Sequence, residues 1–542
     1  MADLNVRLQK IIIFIAVLFM MLTGRIGWIQ LAGHEDLSAA VRSQSLISLE
    51  GGNTRGILYD RCGAPLVADH LQFIYIIREN LFDYQTGKLM KQLGASQIHG
   101  DNEGYYVYSS EHYDKAVGRK LIEDYNAYIL QASTRYSSNQ TAAHLIGYVN
   151  QQDASGACGL ELMLDDELSI LNRHMYVAAD VKGNLIPGRG LLITSDEDSD
   201  SLVTDGVRTT LDKELQSAVE EIIAKEDKDC AVVVLSAADG GIAAMACTPS
   251  FNPNQVSSYL SSNEDELINQ ATQGTYAPGS IFKIVVAAAA LESGVSAGQK
   301  FTCSGSVKVG NLEIQCETGG ENGHGSIDLQ EAFACSCNSY FVQLGQKIGS
   351  DAIIKTAQKF RLGETVFENY PQESSGHLMS QTERQGSAIG NLSIGQGETL
   401  VTPLQVARMT GIIAAGGIDH GISIQMETEK QTEQVISSDT ANEVSKMMEL
   451  VVQKGTAAGL SLQNADGTAK AAVKTGTAEY QQGDDMKTHA WMTGFTPCKE
   501  PEYIITVFVE DGDSGSAAAG PVFQKIVEYL EDSGSYSTPT LA

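Results

Sequence analysis

Hydrophobic and polar positions along the 542-residue chain follow three different patterns, and each predicts a different kind of element. Near the start, Ile11 to Gly24 is almost wholly apolar and Ile26 to Gly33 nearly so, with Arg25 between them. This predicts a single membrane-spanning helix within residues 1–34, provided that Arg25 snorkels. Arg7 and Lys10 precede the run, and positive flanks favour the cytoplasmic side. A cleaved signal peptide is the competing reading, but the stretch is longer than a usual signal core and Ala32-Gly33-His34 is a poor small-x-small site. Further on, Leu71 to Ile77 reads as a strand and Gly87 to Leu93 as a helix. Cys230 to Ser236 and Ile242 to Cys247 look like two strands joined by Asp239-Gly240-Gly241, a hairpin signal. Ile281 to Leu291 is Ala-rich, follows the turn Tyr276-Ala277-Pro278-Gly279 and stops at Ser293-Gly294, as a helix with a glycine terminator does. Ala471 to Tyr480 carries small and β-branched residues around Gly476, the pattern of a strand to which another backbone or a ligand comes close. The polar tail, 532–542, is rich in Ser and Thr and is expected to be disordered.

The length predicts about two to four domains. A formal net charge of -30, from 37 Lys and Arg against 67 Asp and Glu, argues against a nucleic-acid partner. Asp196-Glu197-Asp198-Ser199-Asp200 reads as a solvated loop. The ten histidines form no H-E-x-x-H, and no Cys-x-x-Cys is present, so neither a metal nor another cofactor is implied. Nine cysteines leave at least one unpaired. Cys230 and Cys247 read as small core residues, whereas Cys303, Cys316, Cys335 and Cys337 all lie near Ser336 in sequence. Two readings of that group stay open: a disulfide from Cys337 to Cys303 or Cys316 that makes the site redox-sensitive, or free thiols.

Three short motifs carry chemistry. Ser280-Ile281-Phe282-Lys283 puts a hydroxyl at a helix start and an amine three residues later on the same face. A serine becomes a nucleophile when a base takes its proton, and a lysine serves only if burial or a second cation lowers its pKa. The apolar run after Lys283 offers the first, and Lys474 offers the second. In Ser336-Cys337-Asn338 the outer residues point the same way if the segment is extended or a loop, where Ser336 can relay a proton and Asn338 can bind a peptide amide. The plainer alternative is a polar helix start before Tyr340 to Leu344. Lys474-Thr475-Gly476, with Thr477, sets positive charge and hydroxyls for a carboxylate on a strand edge open to a peptide; otherwise it is an edge guarded by a lysine. S-x-x-K and K-T-G each occur once; S-x-N also starts at Ser137, Ser250 and Ser261, but only Ser336 lies between the other two motifs.

In this order the motifs resemble those of the penicillin-recognising serine acyltransferases, the penicillin-binding proteins and serine β-lactamases. The likeness continues through Val207 to Asp212 with Leu215-Gln216, Thr248 to Asn254, Gly395-Gln396-Gly397 with Thr402 to Gln405, Lys454 to Ala457, and His489-Ala490-Trp491 with Gly494-Phe495. Arg55-Gly56-Ile57-Leu58-Tyr59-Asp60-Arg61-Cys62-Gly63 is similar to the R-G-x-x-x-D-R-x-G signature of the class B penicillin-binding proteins. Ala143 to Tyr148 with Gly159-Leu160-Glu161 agrees, while Thr54 and Ser137 stand where proline is frequent. No acidic motif of a glycosyltransferase domain is found, which separates the chain from the class A enzymes.

The resemblance implies an α+β multidomain fold: the transmembrane helix, an α+β pedestal over 35–205, and a β-lactamase/transpeptidase-like domain over 206–531. That domain would hold a five-stranded antiparallel sheet, using 231–236, 242–247, 471–478, 489–495 and 503–510. Helices at Asp212 to Ala224 and Val522 to Leu530 would flank one face and a helical part from about 270 to 450 the other. It implies a peptidoglycan D,D-transpeptidase of the bacterial plasma membrane, its catalytic domain outside, acting on stem peptides ending in D-Ala-D-Ala and acylated by β-lactams. Ser280 would be the nucleophile, Lys283 the base and Ser336 the relay. Asn338, Lys474, Thr475, Gly476 and Thr477 would bind substrate, and the N–H groups of Ser280 and Thr477 would hold the oxyanion. A membrane glycan polymerase of the SEDS family is the implied partner. A scaffold with a dormant site, a D,D-carboxypeptidase and a β-lactamase are the alternatives.

Overall fold

The computed structural model describes residues 2–31, 46–49, 55–69, 71–98, 104–150, 155–169, 173–178, 191–195, 206–260, 265–320, 322–367, 369–426, 432–482 and 485–534. Asp196 to Asp200 and the tail past 534 lie outside them. The chain divides into two compact units. One holds 1–54, 70–135 and 171–202; the other holds 55–69, 136–170 and 203–542. The class B signature segment and the segment around Glu161, both within the 35–205 pedestal of the sequence reading, thus group with the larger unit.

In the smaller unit an N-terminal helix spans Ala2–Leu31, with Ile11 to Leu22 exposed. Among the described residues no helix is long and apolar enough to cross a membrane. The apolar stretch between Lys10 and Arg25 yields about 20 Å of helix against roughly 30 Å of hydrocarbon, so the expected span depends on Arg25 reaching past the lipid core. An antiparallel sheet orders Ser96–Ile98, Tyr105–Ser110, Leu71–Arg78 and Tyr128–Ser133. Tyr75 and Ile77, two apart and so on one face, meet Met90 of the Tyr84–Gln92 helix and Val117 and Leu121 of the Lys115–Tyr125 helix. Asp83 and Thr86 form a capping box that starts the first helix earlier than the sequence pattern suggested. Leu46–Leu49, Arg173–Ala178 and Leu191–Ser195 form a separate antiparallel sheet.

The larger unit is built on the five-stranded antiparallel sheet that the resemblance implied. Its order is Ile242–Cys247, Cys230–Ser236, Tyr503–Val509, Asp485–Thr496, Ala472–Gln482. Cys230 to Leu235 and Tyr503 to Val509 are buried at every position, which explains runs of apolar residues without alternation. The Lys213–Ile223 and Gly520–Asp532 helices pack on one another and on this sheet. The Pro403–Ala414 helix packs on its middle strands, where Thr410, Thr493 and Thr506 link hydroxyls at 2.7 Å. Gly476 lies in an edge strand, as the sequence pattern required.

Two expectations need correction. The outer hairpin runs on through Gln482 and Asp485 because the strands project past the core, where the polar residues Glu479, Gln481, Asp485 and Lys487 are at home. The stretch 270–450 is not wholly helical: Phe301–Cys303 pairs with Gly325–Ile327, and Ser306–Val309 with Leu312–Gln315. Val307, Val309, Leu312 and Ile314 alternate about Gly310-Asn311, and that period of two defines a β-ribbon.

In the same unit Arg55 Nε and Nη1 pair with Glu161 and Asp165 at 3.1 and 2.7 Å, and Tyr136 Oη donates to Glu161 at 2.9 Å. The two family-like phrases thus meet in one buried ion-pair cluster.

Candidate active site

The loop before Ser280 is held by the sheet it lies against. Trp491 Nε1 donates to Ala277 O at 3.0 Å, and the Tyr276 ring stacks on Phe508 with centroids 3.9 Å apart. Gly279 adopts φ +53°, and a Cβ there would sit 2.3 Å from Thr477 O. At Gly476 a Cβ would come within 3.0 Å of the Ile281 side chain and 3.1 Å of Pro278 O. Both glycines therefore let the edge strand lie directly against the loop. Gly279–Phe282 is one tight turn that runs into the Lys283–Glu292 helix, so Ser280 stands at the helix start, half-buried, with Lys283 fully buried one turn on.

Lys283 Nζ lies 3.0 Å from Ser280 Oγ, 3.1 Å from Ser336 Oγ, and 2.7 Å from both Ser336 O and Asn338 Oδ1. The last two are pure acceptors. A neutral amine gives its two N–H bonds to them and turns its lone pair toward the hydroxyls. Asn338 Nδ2 donates to Gln315 O at 3.1 Å, which fixes the amide with its oxygen toward Lys283. Burial lowers the Lys283 pKa to about 8, against an opposing electrostatic pull from Cys337, Cys316, Cys335 and Glu317. Lys474 is driven well below its ordinary value by its own burial and then by the charge of Lys283. Burial, the first of the two causes the sequence offered for Lys283, is the leading one, and the repulsion between the two lysines is felt at Lys474 instead.

Ser336 occupies the turn between the Leu329–Ala334 and Asn338–Ile348 helices at φ +56°, and Asn338 is the first residue of the second helix. Both sequence readings of this motif are partly met: it is a helix start, and the turn nevertheless brings Ser336 and Asn338 onto one amine. The left-handed backbone at Ser336 aims its Oγ between Lys283 Nζ and Lys474 Nζ, the latter at 3.0 Å. Lys474 Nζ also donates to Thr475 O at 2.7 Å, and the Phe333 ring lies beneath it at 5.7 Å. Thr475 Oγ1 shares a hydrogen bond with Thr456 Oγ1 at 2.5 Å, and Thr477 Oγ1 accepts from Gly515 N at 3.3 Å. Gln315 was absent from the sequence reading because it contributes only a main-chain oxygen, which has no residue signature.

A half-open serine whose hydroxyl faces a buried, deprotonatable lysine, beside an edge strand bearing a second lysine, is the apparatus of a serine acyl-transfer enzyme. The chain belongs to the penicillin binding protein transpeptidase domain family, whose model matches residues 230–528. It is 30% identical over 361 residues to the peptidoglycan D,D-transpeptidase PbpA of Mycolicibacterium smegmatis, covering 58% of this chain and 70% of that protein. It is 25% identical over 536 residues to the peptidoglycan D,D-transpeptidase FtsI of Escherichia coli K12, covering 93% of this chain and 88% of that one. Its fold is similar to that of the penicillin-binding protein PBP2 of Helicobacter pylori, with a TM-score of 0.68 at 22% identity over 90% of this chain and 99% of the other.

Proposed function

We propose that the protein is a peptidoglycan D,D-transpeptidase that works through a Ser280 acyl-enzyme. The observation that carries this reading is Lys283 Nζ at 3.0 Å from Ser280 Oγ, its two N–H bonds committed to Ser336 O and Asn338 Oδ1. Lys283 takes the Ser280 proton as Oγ attacks the penultimate D-Ala carbonyl. The N–H groups of Ser280 and Thr477 receive the oxyanion, a contribution of roughly 3–4 kcal/mol per donor in acyl-transfer sites. Ser336 passes a proton to the departing D-Ala amine. An amine from a second stem peptide then attacks the acyl-enzyme carbonyl and regenerates the Ser280 hydroxyl. Lys474, Thr475 and Thr477 bind the terminal carboxylate, Gly476 lets the peptide run close to the edge strand, and the second Nδ2 hydrogen of Asn338 reaches a substrate carbonyl. β-Lactams acylate Ser280 by imitating D-Ala-D-Ala.

Incubating the protein with labelled penicillin, wild type beside Ser280→Ala, tests this. Persistent label that vanishes in the variant supports the transpeptidase; rapid turnover indicates a β-lactamase, and absence of label in both indicates a scaffold. The exposed apolar helix at Ile11 to Leu22, with Lys10 before it, supports a single-pass anchor in the bacterial plasma membrane with the catalytic unit outside. Protease added to intact spheroplasts degrades the catalytic unit in that arrangement and spares it if the unit is inside. A glycan polymerase of the SEDS family is the proposed membrane partner; recovery of that polymerase with the detergent-solubilised full chain checks it, and its absence under those conditions rejects it.

A further inference from the structure

The phrase Lys454 to Ala457, to which the acyl-transfer steps give no role, lies where two parts of the site meet. It follows the Ser438–Lys454 helix, whose last turn is closed by Gly455 N donating to Val451 O at 3.1 Å. A Cβ on Gly455 would sit 2.2 Å from Ala334 O and 2.7 Å from Val451 Cα, so the bend is pressed against the end of the Leu329–Ala334 helix. Thr456 N then donates to Ala334 O at 3.2 Å, two residues before Ser336. On its other side, Thr456 Oγ1 shares its 2.5 Å hydrogen bond with Thr475 Oγ1 of the Ala472–Gln482 edge strand.

These bonds close a circuit around the cleft. Ser336 Oγ meets Lys474 Nζ at 3.0 Å, Lys474 Nζ donates to Thr475 O at 2.7 Å, and Thr475 leads back through Thr456 to Ala334. The main-chain oxygen of Thr475 is thus held by Lys474 while its hydroxyl is held by Thr456. Thr475 is buried and Thr456 half-buried, so water competes little for the pair. A hydroxyl carries one proton, so of two paired hydroxyls one gives its proton to the other and the second keeps its own. A carboxylate only accepts, and Thr475 can bind one only by donating to it. Thr456 is then the donor within the pair, and polarisation along the chain strengthens the outer bond.

We propose that Thr456 is a positioning residue of the acyl-transfer site: its hydroxyl donates to Thr475 Oγ1 and turns the Thr475 proton toward the carboxylate that ends a stem peptide or a β-lactam. This rests on the transpeptidase reading, which sets that carboxylate beside Lys474, Thr475 and Thr477. Thr456 acts only through Thr475.

The rate of acylation by benzylpenicillin divided by the rate with its methyl ester measures what the carboxylate contributes, and comparing wild type with Thr456→Val, Thr456→Ser and Thr456→Cys in the full-length protein tests the proposal. Valine keeps the shape and the main-chain bond to Ala334 and removes the hydroxyl. The ratio is expected to fall about three- to tenfold in Thr456→Val, the size of one neutral hydrogen bond, through weaker binding of the acid at an unchanged limiting rate. Thr456→Ser is expected to keep the wild-type ratio. Thr456→Cys, whose thiol is a weak donor, is expected to fall between them and gives the same readout if the valine variant fails to fold. An unchanged ratio in the valine and cysteine variants, an equal loss with acid and ester, or a serine variant as impaired as the valine one overturns the proposal. Wild type that neither form acylates is the failure of the transpeptidase reading itself, and the proposal falls with it.

Discussion

Lys474 Nζ and Ser336 Oγ lie 3.0 Å apart although 138 residues separate them, and this contact joins the edge strand to the helical side of the site. Replacing Lys474 by Ala removes the donor to Ser336 and the cation proposed for the substrate carboxylate. Hydrogen bonds to a charged group contribute about 1.5–3 kcal/mol, so the second-order rate of acylation by a carboxylate-bearing β-lactam is expected to fall about ten- to a hundredfold. Concentration dependence separates weaker binding from slower chemistry; an unchanged second-order rate sinks the assignment.

The pKa of about 8 at Lys283 makes acylation pH-dependent. The base works when neutral, so below about pH 8 the rate is expected to fall about tenfold per unit and above it to level off. Lys283→Arg, which stays charged, is expected to lose about 10²–10⁴ of the plateau rate and to lack the rise with pH. Rapid-mixing acylation rates from pH 6 to 9 check this, and a flat profile contradicts it.

At Gly279 a Cβ meets the main-chain oxygen of Thr477 at 2.3 Å with φ +53°, whereas at Gly476 the nearest atom is a side-chain methyl at 3.0 Å. Main chain yields less than a methyl, so Gly279→Ala is expected to destabilise more than Gly476→Ala, the latter by about 1–3 kcal/mol. Both variants should slow acylation by moving the strand off the Ser280 loop. Denaturant midpoints and labelling rates measured on the same samples test the order.

His144 is buried with its Nε2 2.8 Å from Glu266 O, and burial pushes its pKa down to about 4; His489 is likewise lowered to about 4. An unfolded histidine titrates near 6.5, so the stability these neutral rings contribute is complete above about pH 6.5 and is lost as pH falls toward about 4. Each ring contributes a slope of up to about 1.4 kcal/mol per unit in that window. His144→Gln is expected to lower the slope of stability against pH by up to about 1.4 kcal/mol per unit in that window, while His489 still titrates. Urea midpoints at several pH values between 4 and 7 decide it.

Much of the site was legible in the chain because its parts are local. Ser280 and Lys283 share a helix face by spacing alone, and Gly476 inside a β-branched run announced a close backbone approach. The central strands were legible because burial on both faces demands an unbroken apolar run, as at Cys230 to Leu235. The ribbons at 301–327 were missed where a turn, Gly310-Asn311, outweighs a helical neighbourhood.

By itself, then, the sequence determined the order of the motifs, the strands and helices that carry them, and the family. Only the tertiary structure decided what those residues face. It set burial over repulsion as the cause of the low Lys283 pKa, turned Asn338 by a main-chain oxygen of Gln315, brought the Thr456 hydroxyl onto that of Thr475, and left Cys316 and Cys337 as free thiols. Such relations depend on desolvation and on distances across long loops, and no short stretch of sequence encodes either.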